Sequence, residues 1–118
     1  MRGALLADIG QAASAESLFD LALAGDPHNL DALYRLGVAR YRQGQLEAAV
    51  APLEKAITVA GGQYLEPTLW LARVEWNRGR PAAARELIAA WIESHPNDAR
   101  ATGLLAALSA GDDSGLPR

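Results

Sequence analysis

A block recurs along this chain at a spacing of 34 and then 35 residues. Glycine stands at Gly10, Gly44 and Gly79, alanine at Ala15, Ala49 and Ala84, and a large apolar residue at Phe19, Leu53 and Ile88. A proline closes the first and third blocks, at Pro27 and Pro96. Self-similarity at this distance signals stacked supersecondary units, each too small to bury its own apolar face and each covered by its neighbour. It constrains function as well as fold, because stacked helical units build extended surfaces rather than enclosed reaction chambers.

The middle block shows what the unit is. Asn29 or Asp31 can cap a helix start, and Leu33, Leu36 and Gly37 then fall on one inward helical stripe, followed by Arg40. Gly44 ends that helix, since glycine accepts the left-handed conformation used just past a helix C-terminus. Leu46, Ala49, Val50, Leu53, Ala56 and Ile57 step by three and four through a second helix. The two periodic segments are so close in sequence that they must fold back as an antiparallel hairpin.

The third block repeats the pattern. A helix over roughly Tyr64 to Arg78 carries Leu71, Ala72 and Glu75 in the slots of Leu36, Gly37 and Arg40, and Gly79 ends it. Pro81 opens the next helix, where its missing N–H costs nothing. Ala84, Leu87, Ile88, Trp91 and Ile92 form its apolar stripe, and His95-Pro96-Asn97-Asp98 closes the unit. The first block reads as the tail of one helix (Gly3, Leu6, Ala7), a turn at Gly10, and a full helix with Ala15, Phe19, Ala22 and Leu23 before the loop Asp26-Pro27-His28-Asn29. Ala99 to Ala110 form one more helix. The predicted organisation is an all-α repeat domain over residues 1–110: a partial repeat 1–28, repeats 29–63 and 64–98, and a final helix 99–110. Residues 111–118 have the composition of a flexible tail.

Two positions break the pattern. Pro52 falls inside a predicted helix, where a proline costs about 3 kcal/mol or kinks the helix. Gly61-Gly62 replaces the closing proline of the middle block, which also carries the extra residue, and marks the expected hinge or geometric defect of the stack.

Composition narrows the function classes. Twenty-five of 118 residues are alanine, which favours helices and lets their backbones approach closely. The formal net charge is −3, with both signs interspersed, which argues against a nucleic-acid binder with its basic face. There is no cysteine, so thiolate chemistry is excluded. No apolar run reaches the roughly 20 residues that span a bilayer, and the N-terminus meets Asp8 before any long apolar stretch, so no signal peptide is read. Richness in Ala, Arg, Gly and Leu suits a bacterial chain from a GC-rich genome.

These residues resemble the tetratricopeptide repeat, whose pattern is W-x2-L-G-x2-Y, then A-x3-F, then P. The middle block supplies Leu33 in the Trp slot, Leu36-Gly37, Arg40 where Tyr is usual, then Ala49, Leu53 and Ala56. The third supplies Thr68, Leu71-Ala72, Glu75, Ala84, Ile88, Trp91 and Pro96; the first, Gly3, Leu6, Ala15, Phe19, Ala22 and Pro27. Trp91 stands where the family has a small residue and should push the following helix outward unless Gly103, Ala106 or Ala107 makes room. The resemblance implies a right-handed α-solenoid of about three repeats plus a C-terminal helix. It also implies a concave groove, lined by the first helix of each repeat, that holds a peptide or segment of a partner protein.

On that resemblance the groove slots are Tyr34, Val38, Tyr41 and Arg42 in the middle block and Leu69, Arg73, Trp76 and Asn77 in the third. Such a lining can bury a partner's apolar side chains and pair with its carboxylates. The competing reading makes Tyr41 and Trp76 packing residues between neighbouring hairpins. Trp70 and Trp91 read as packing residues. The Lys and Asn with which some family members grip a C-terminal carboxylate are not matched here. His28 and His95, both beside loop prolines, lack partners at ligand spacing, so no metal or other cofactor is expected. No phosphate loop or catalytic triad is present in the pattern, and the chain reads as a non-enzymatic interaction module. The alternative readings are self-assembly into a homo-oligomer through exposed repeat ends, with Leu5, Leu6, Leu18 and Leu21 at one end and Leu104, Leu105 and Leu108 at the other, or a non-catalytic repeat region of a larger enzyme or secretion/assembly factor.

Overall fold

The computed structural model describes residues 2–118, with side chains from Gly10 onward. Six helices follow in order: α1 (Arg2–Gly25), α2 (Leu30–Arg42), α3 (Leu46–Ala60), α4 (Glu66–Asn77), α5 (Pro81–Ser94) and α6 (Ala99–Ser109), with no strand among the described residues. Each helix packs on the next in sequence, and α2 also meets α4. The chain is an all-α stack of helical hairpins measuring 37 × 36 × 20 Å. No helix among the described residues is long and apolar enough to cross a membrane.

The first helices of successive units end by one device. At α2 the Gly44 amide donates to the Tyr41 carbonyl (2.9 Å) and the Gln45 amide to that of Arg40 (2.9 Å). The same pair of bonds joins Gly79 to Trp76 and Arg80 to Glu75 after α4, and Gly111 to Leu108 and Asp112 to Ala107 after α6. This is the Schellman arrangement, and it needs a left-handed residue at its glycine. Gly44, Gly79 and Gly111 have φ of 78°, 77° and 84°. Two of them start on side-chain caps: Asn29 accepts from the Ala32 amide at α2, and Asp98 from the Ala101 amide at α6, whereas α4 has no side-chain cap and carries Pro67 in its first turn.

Repeat register decides the core. Ala49, Leu53 and Ala56 of α3, and Ala84 and Ile88 of α5, are wholly buried. Gly37 is required opposite Leu53: a Cβ there would meet Leu53 Cγ and lie 2.6 Å from its Cδ2. Two apolar clusters result. One joins Ala49 and Leu53 to Trp70, Leu71 and Val74; the other joins Leu65, Leu69 and Ala72 to Ile88, Leu104, Leu108 and Leu116.

Pro52 is accommodated in an unbroken α3. A proline has no N–H for the carbonyl four residues back, here that of Ala48. The Arg40 guanidinium fills the vacancy, its Nη1 donating to the Ala48 carbonyl at 3.1 Å. Arg40 Nε also donates to Glu16 Oε1 (2.8 Å), and Gln43 Nε2 to Glu16 Oε2 (2.8 Å). Arg40, in the slot where the repeat pattern usually has Tyr, thus ties α1, α2 and α3 together. These bonds hold the Glu16 carboxyl below the usual range, the Arg40 bond acting most.

The structure corrects three expectations. Gly10 is not a turn: α1 runs through it as one helix, and Gly10 is absent from the left-handed glycines. A glycine within a helix costs only about 1 kcal/mol against alanine, and the alanine-rich residues that follow favour continuation. By contrast, Pro81 stands two residues after Gly79 and cannot continue the preceding helix. Gly3, Leu6 and Ala7 belong to the same helix by backbone, and their side chains, like those of Leu5, lie outside the described residues. Residues 111–118 are not a free tail: Leu116 is 3% exposed within the second cluster. Nor does Trp91 press on α6 at Gly103, whose added Cβ would meet nothing within 4 Å. The indole lies along its own helix end, stacked on His95 at 3.8 Å, and donates to Asp98 Oδ2 at 2.9 Å. At the middle joint, Gly61 and Gly62 are both left-handed (φ 60° and 82°), and Leu65 then anchors the chain in the core just ahead of α4.

Candidate partner-binding surface

Tyr34, Val38 and Tyr41 project from one face of α2 toward α4. Tyr34 Oη accepts from Trp70 Nε1 at 2.9 Å. Tyr41 meets the Trp70 ring edge-on at 5.5 Å, and Val38 packs against the same cluster. Arg42 is exposed, its guanidinium 5.9 Å from the Trp70 ring centroid. Trp70, 7% exposed, is therefore the hub that fixes this face. Its polar N–H is satisfied where its ring is buried, the usual condition for burying tryptophan.

The other side of the α2 face opens toward α1. Gln11, Ala15 and Phe19 of α1, with Tyr34, Arg35, Val38 and Arg42 of α2 and the edge of Trp70, line a groove of ≈ 320 Å³. Ala15 and Phe19 hold the register of Ala49 and Leu53, and of Ala84 and Ile88. Those later pairs are 0% exposed, because α2 and α4 cover them. On α1 the same positions are only partly covered. The groove is thus an apolar helix seat with a cationic rim supplied by Arg35 and Arg42. Within that rim Arg35 is paired to Asp31 at 2.8 Å in a well-exposed ion pair.

On α4 the matching slots are more deeply set. Leu69 is 1% exposed and belongs to the core; Trp76 packs partly buried against the same cluster. Asn77 is exposed, with its Oδ1 accepting from Arg73 Nη1 (3.0 Å) and its Nδ2 donating to Tyr41 Oη (3.4 Å). Arg73, 5% exposed, is engaged by the end of the chain: Nη1 donates to Asp113 Oδ2 (2.7 Å), Nη2 to the Asp113 carbonyl (3.1 Å) and Nε to the Pro117 carbonyl (2.8 Å). The guanidinium holds the Asp113 carboxyl below the ordinary aspartate range. The eight expected residues therefore divide in two. Tyr34, Val38 and Arg42 line the open groove with Tyr41 behind them, while Arg73 holds the docked chain end, Leu69 and Trp76 pack in the cluster that takes Leu116, and Asn77 bonds to Arg73 and Tyr41.

Sequence reasoning missed the α1 half of the groove and the chain end over Arg73. The register offered a signal for the first, since Ala15 and Phe19 sit in slots that a helix covers elsewhere. A second depression, ≈ 540 Å³, lies between α3 and α5 over the floor of α4. Glu75 lies buried in it, held by Arg78 (2.6 Å) and Arg80 (3.2 Å). His28 is exposed, and His95 is stacked on Trp91. No group of three or more His, Asp or Glu side chains among the described residues is placed to hold a metal ion.

Hairpins in common register, ended alike and stacked with each second helix on the next first helix, define a helical-repeat protein. A sequence profile of the tetratricopeptide repeat matches residues 6–61 and again residues 53–108, together most of the chain, so the chain belongs to the tetratricopeptide repeat family. None of the curated proteins matches it. Repeats of this family generally mediate protein–protein interaction or scaffolding, and they are typically non-catalytic.

Proposed function

We propose that this chain is a non-enzymatic protein-interaction module that seats a segment of a partner protein on the face of α2. The observation that carries this reading is the open helix seat between α1 and α2. Its apolar floor at Ala15, Phe19 and Val38 suits a partner's aliphatic or aromatic side chains, and Arg35 and Arg42 suit flanking carboxylates. Tyr34, Tyr41 and Trp70 give it a rigid end wall. Leu69, Arg73, Trp76 and Asn77 of α4 lie outside this seat, Arg73 being taken by the chain end. Affinity capture with the wild-type chain and with an Ala15→Glu, Arg42→Glu variant tests the reading. The variant fills the seat and reverses its rim charge without touching a fully buried side chain. Loss of the partner from the folded variant supports the groove, and equal capture removes it as the site.

Self-association is the second reading. Leu18 and Leu21 of α1 are 66% and 71% exposed, an apolar strip on the open end of the stack. At the other end Leu104 and Leu108 are buried and Leu105 is partly covered, so that end offers less. Light scattering across concentration distinguishes a homo-oligomer from a monomer awaiting another protein.

A further inference from the structure

The chain end after α6 occupies a built seat. The α4 and α6 backbones stay farther apart than those of α2 and α4, α6 reaching α4 through the Arg100–Glu66 ion pair (3.4 Å), and residues 112–118 pack on both helices. The seat has three parts. Arg73 forms a buried fork that takes one carboxylate and two backbone carbonyls. An apolar socket formed by Leu69, Leu104 and Leu108 takes Leu116, three residues beyond that carboxylate. Between them the backbone of Gly115 lies so close to the wall that a Cβ would stand 2.9 Å from Leu104 Cδ1. Two of the three atoms that Arg73 holds on this segment are main-chain oxygens, and the segment turns between them, the Leu116 amide donating to the Asp113 carbonyl at 3.0 Å. The outward residues Asp112, Ser114 and Arg118 are exposed, and the segment has no helix of its own.

We propose that this seat is a binding site for a turn-forming segment of another protein, carrying an acidic residue with leucine three residues later and a small residue just before that leucine. Residues 112–118 occupy it as a tethered competitor. The site is separate from the α1/α2 groove and does not rest on it. A strap closed nine-tenths or more of the time lowers the apparent affinity of a competing segment by about tenfold or more, since only the open fraction binds.

The test uses the full chain and a fluorescent peptide of residues 111–118, with a scrambled peptide as control. In an Asp113→Ala, Leu116→Ser variant the seat is intact and its occupant is weakened. Polarisation titration should give saturable binding at least about tenfold tighter for this variant than for the wild type. Adding Arg73→Ala should abolish it, while the Ala15→Glu, Arg42→Glu pair should leave it unchanged. The proposal is overturned by equal affinity of wild type and strap variant, by binding that survives Arg73→Ala, or by no saturable binding to a folded strap variant. A wild-type dimer that grows with concentration and disappears with Leu116→Ser also overturns it, because the occupant is then a second copy. Should the strap variant not fold, hydrogen exchange on the wild type decides: the amides of 112–118 should exchange faster than those of α4, and joint exchange refutes displacement.

Discussion

The pairing of Pro52 with Arg40 can be measured by a double-mutant cycle. Arg40→Ala removes two interactions. One is the bond to the Ala48 carbonyl at 3.1 Å, which Pro52 leaves without its helical donor. Bonds to a charged donor contribute about 1.5–3 kcal/mol when protected, and here water reaches the exposed Ala48 position, so about 1 kcal/mol is expected. The other is the partly buried pair with Glu16, at 26% and 20% side-chain exposure. Its loss lies between the exposed case, up to about 1 kcal/mol, and the buried case, about 3–5 kcal/mol, so about 1–2 is expected. The single variant should therefore lose about 2–3 kcal/mol. Pro52→Ala restores an N–H to Ala48, regaining up to about 3 kcal/mol of helix penalty while giving up buried ring carbons at about 0.8 kcal/mol each and the stiffness of the unfolded chain. In the Pro52→Ala background Arg40→Ala removes only the Glu16 pair, so its effect shrinks by about 1 kcal/mol. Urea unfolding followed by tryptophan fluorescence and by circular dichroism reads all four corners. Additivity within about 0.3 kcal/mol would show that Arg40 does not replace the missing donor.

Gly37→Ala should destabilise by about 1–2 kcal/mol, overpacking against Leu53 outweighing the gain in helix propensity, with chemical denaturation as the readout. Glu16, Asp98 and Asp113 all have folded-state carboxyl pKa values below their unfolded ones. Their contribution is complete above the unfolded values near pH 4 and is lost as pH falls through the folded ones, so stability should drop in acid. Glu16→Gln should make that decline shallower in an acid titration followed by circular dichroism. Leu18→Glu with Leu21→Glu should change stability by no more than about 0.5 kcal/mol and abolish any concentration-dependent scattering, the two side chains being solvent-facing.

The hairpins were legible because their signals are local and repeated. Gly44 and Gly79 end helices wherever the following residues allow a reversal, and the Ala49/Leu53 and Ala84/Ile88 pairs mark the faces those reversals bury. The same rule failed at Gly10, where a single glycine does not outweigh the helix-forming residues after it. Pro52 stood out as an anomaly, but its remedy comes from Arg40 on another helix, and only the fold brings the two together. Composition misled at the chain end. Asp, Ser, Gly and Pro describe a loop, not a loose one, and the clues were a lone Leu116 among polar residues and an acidic residue available to Arg73. The groove slots Tyr34, Val38 and Arg42 follow from the family resemblance; the α1 wall opposite them needs the comparison of exposure between equivalent slots.

Site-specific photo-crosslinking tests the central claim most directly. A benzophenone side chain placed at Gln11 or Arg42, both exposed on the rim of the α1/α2 groove, is compared in cells with one at Lys55 on the exposed side of α3. A partner seated on the face of α2 predicts the same discrete adduct from both rim positions and none from Lys55. An adduct from Lys55 alone, or of equal yield from all three, would contradict it.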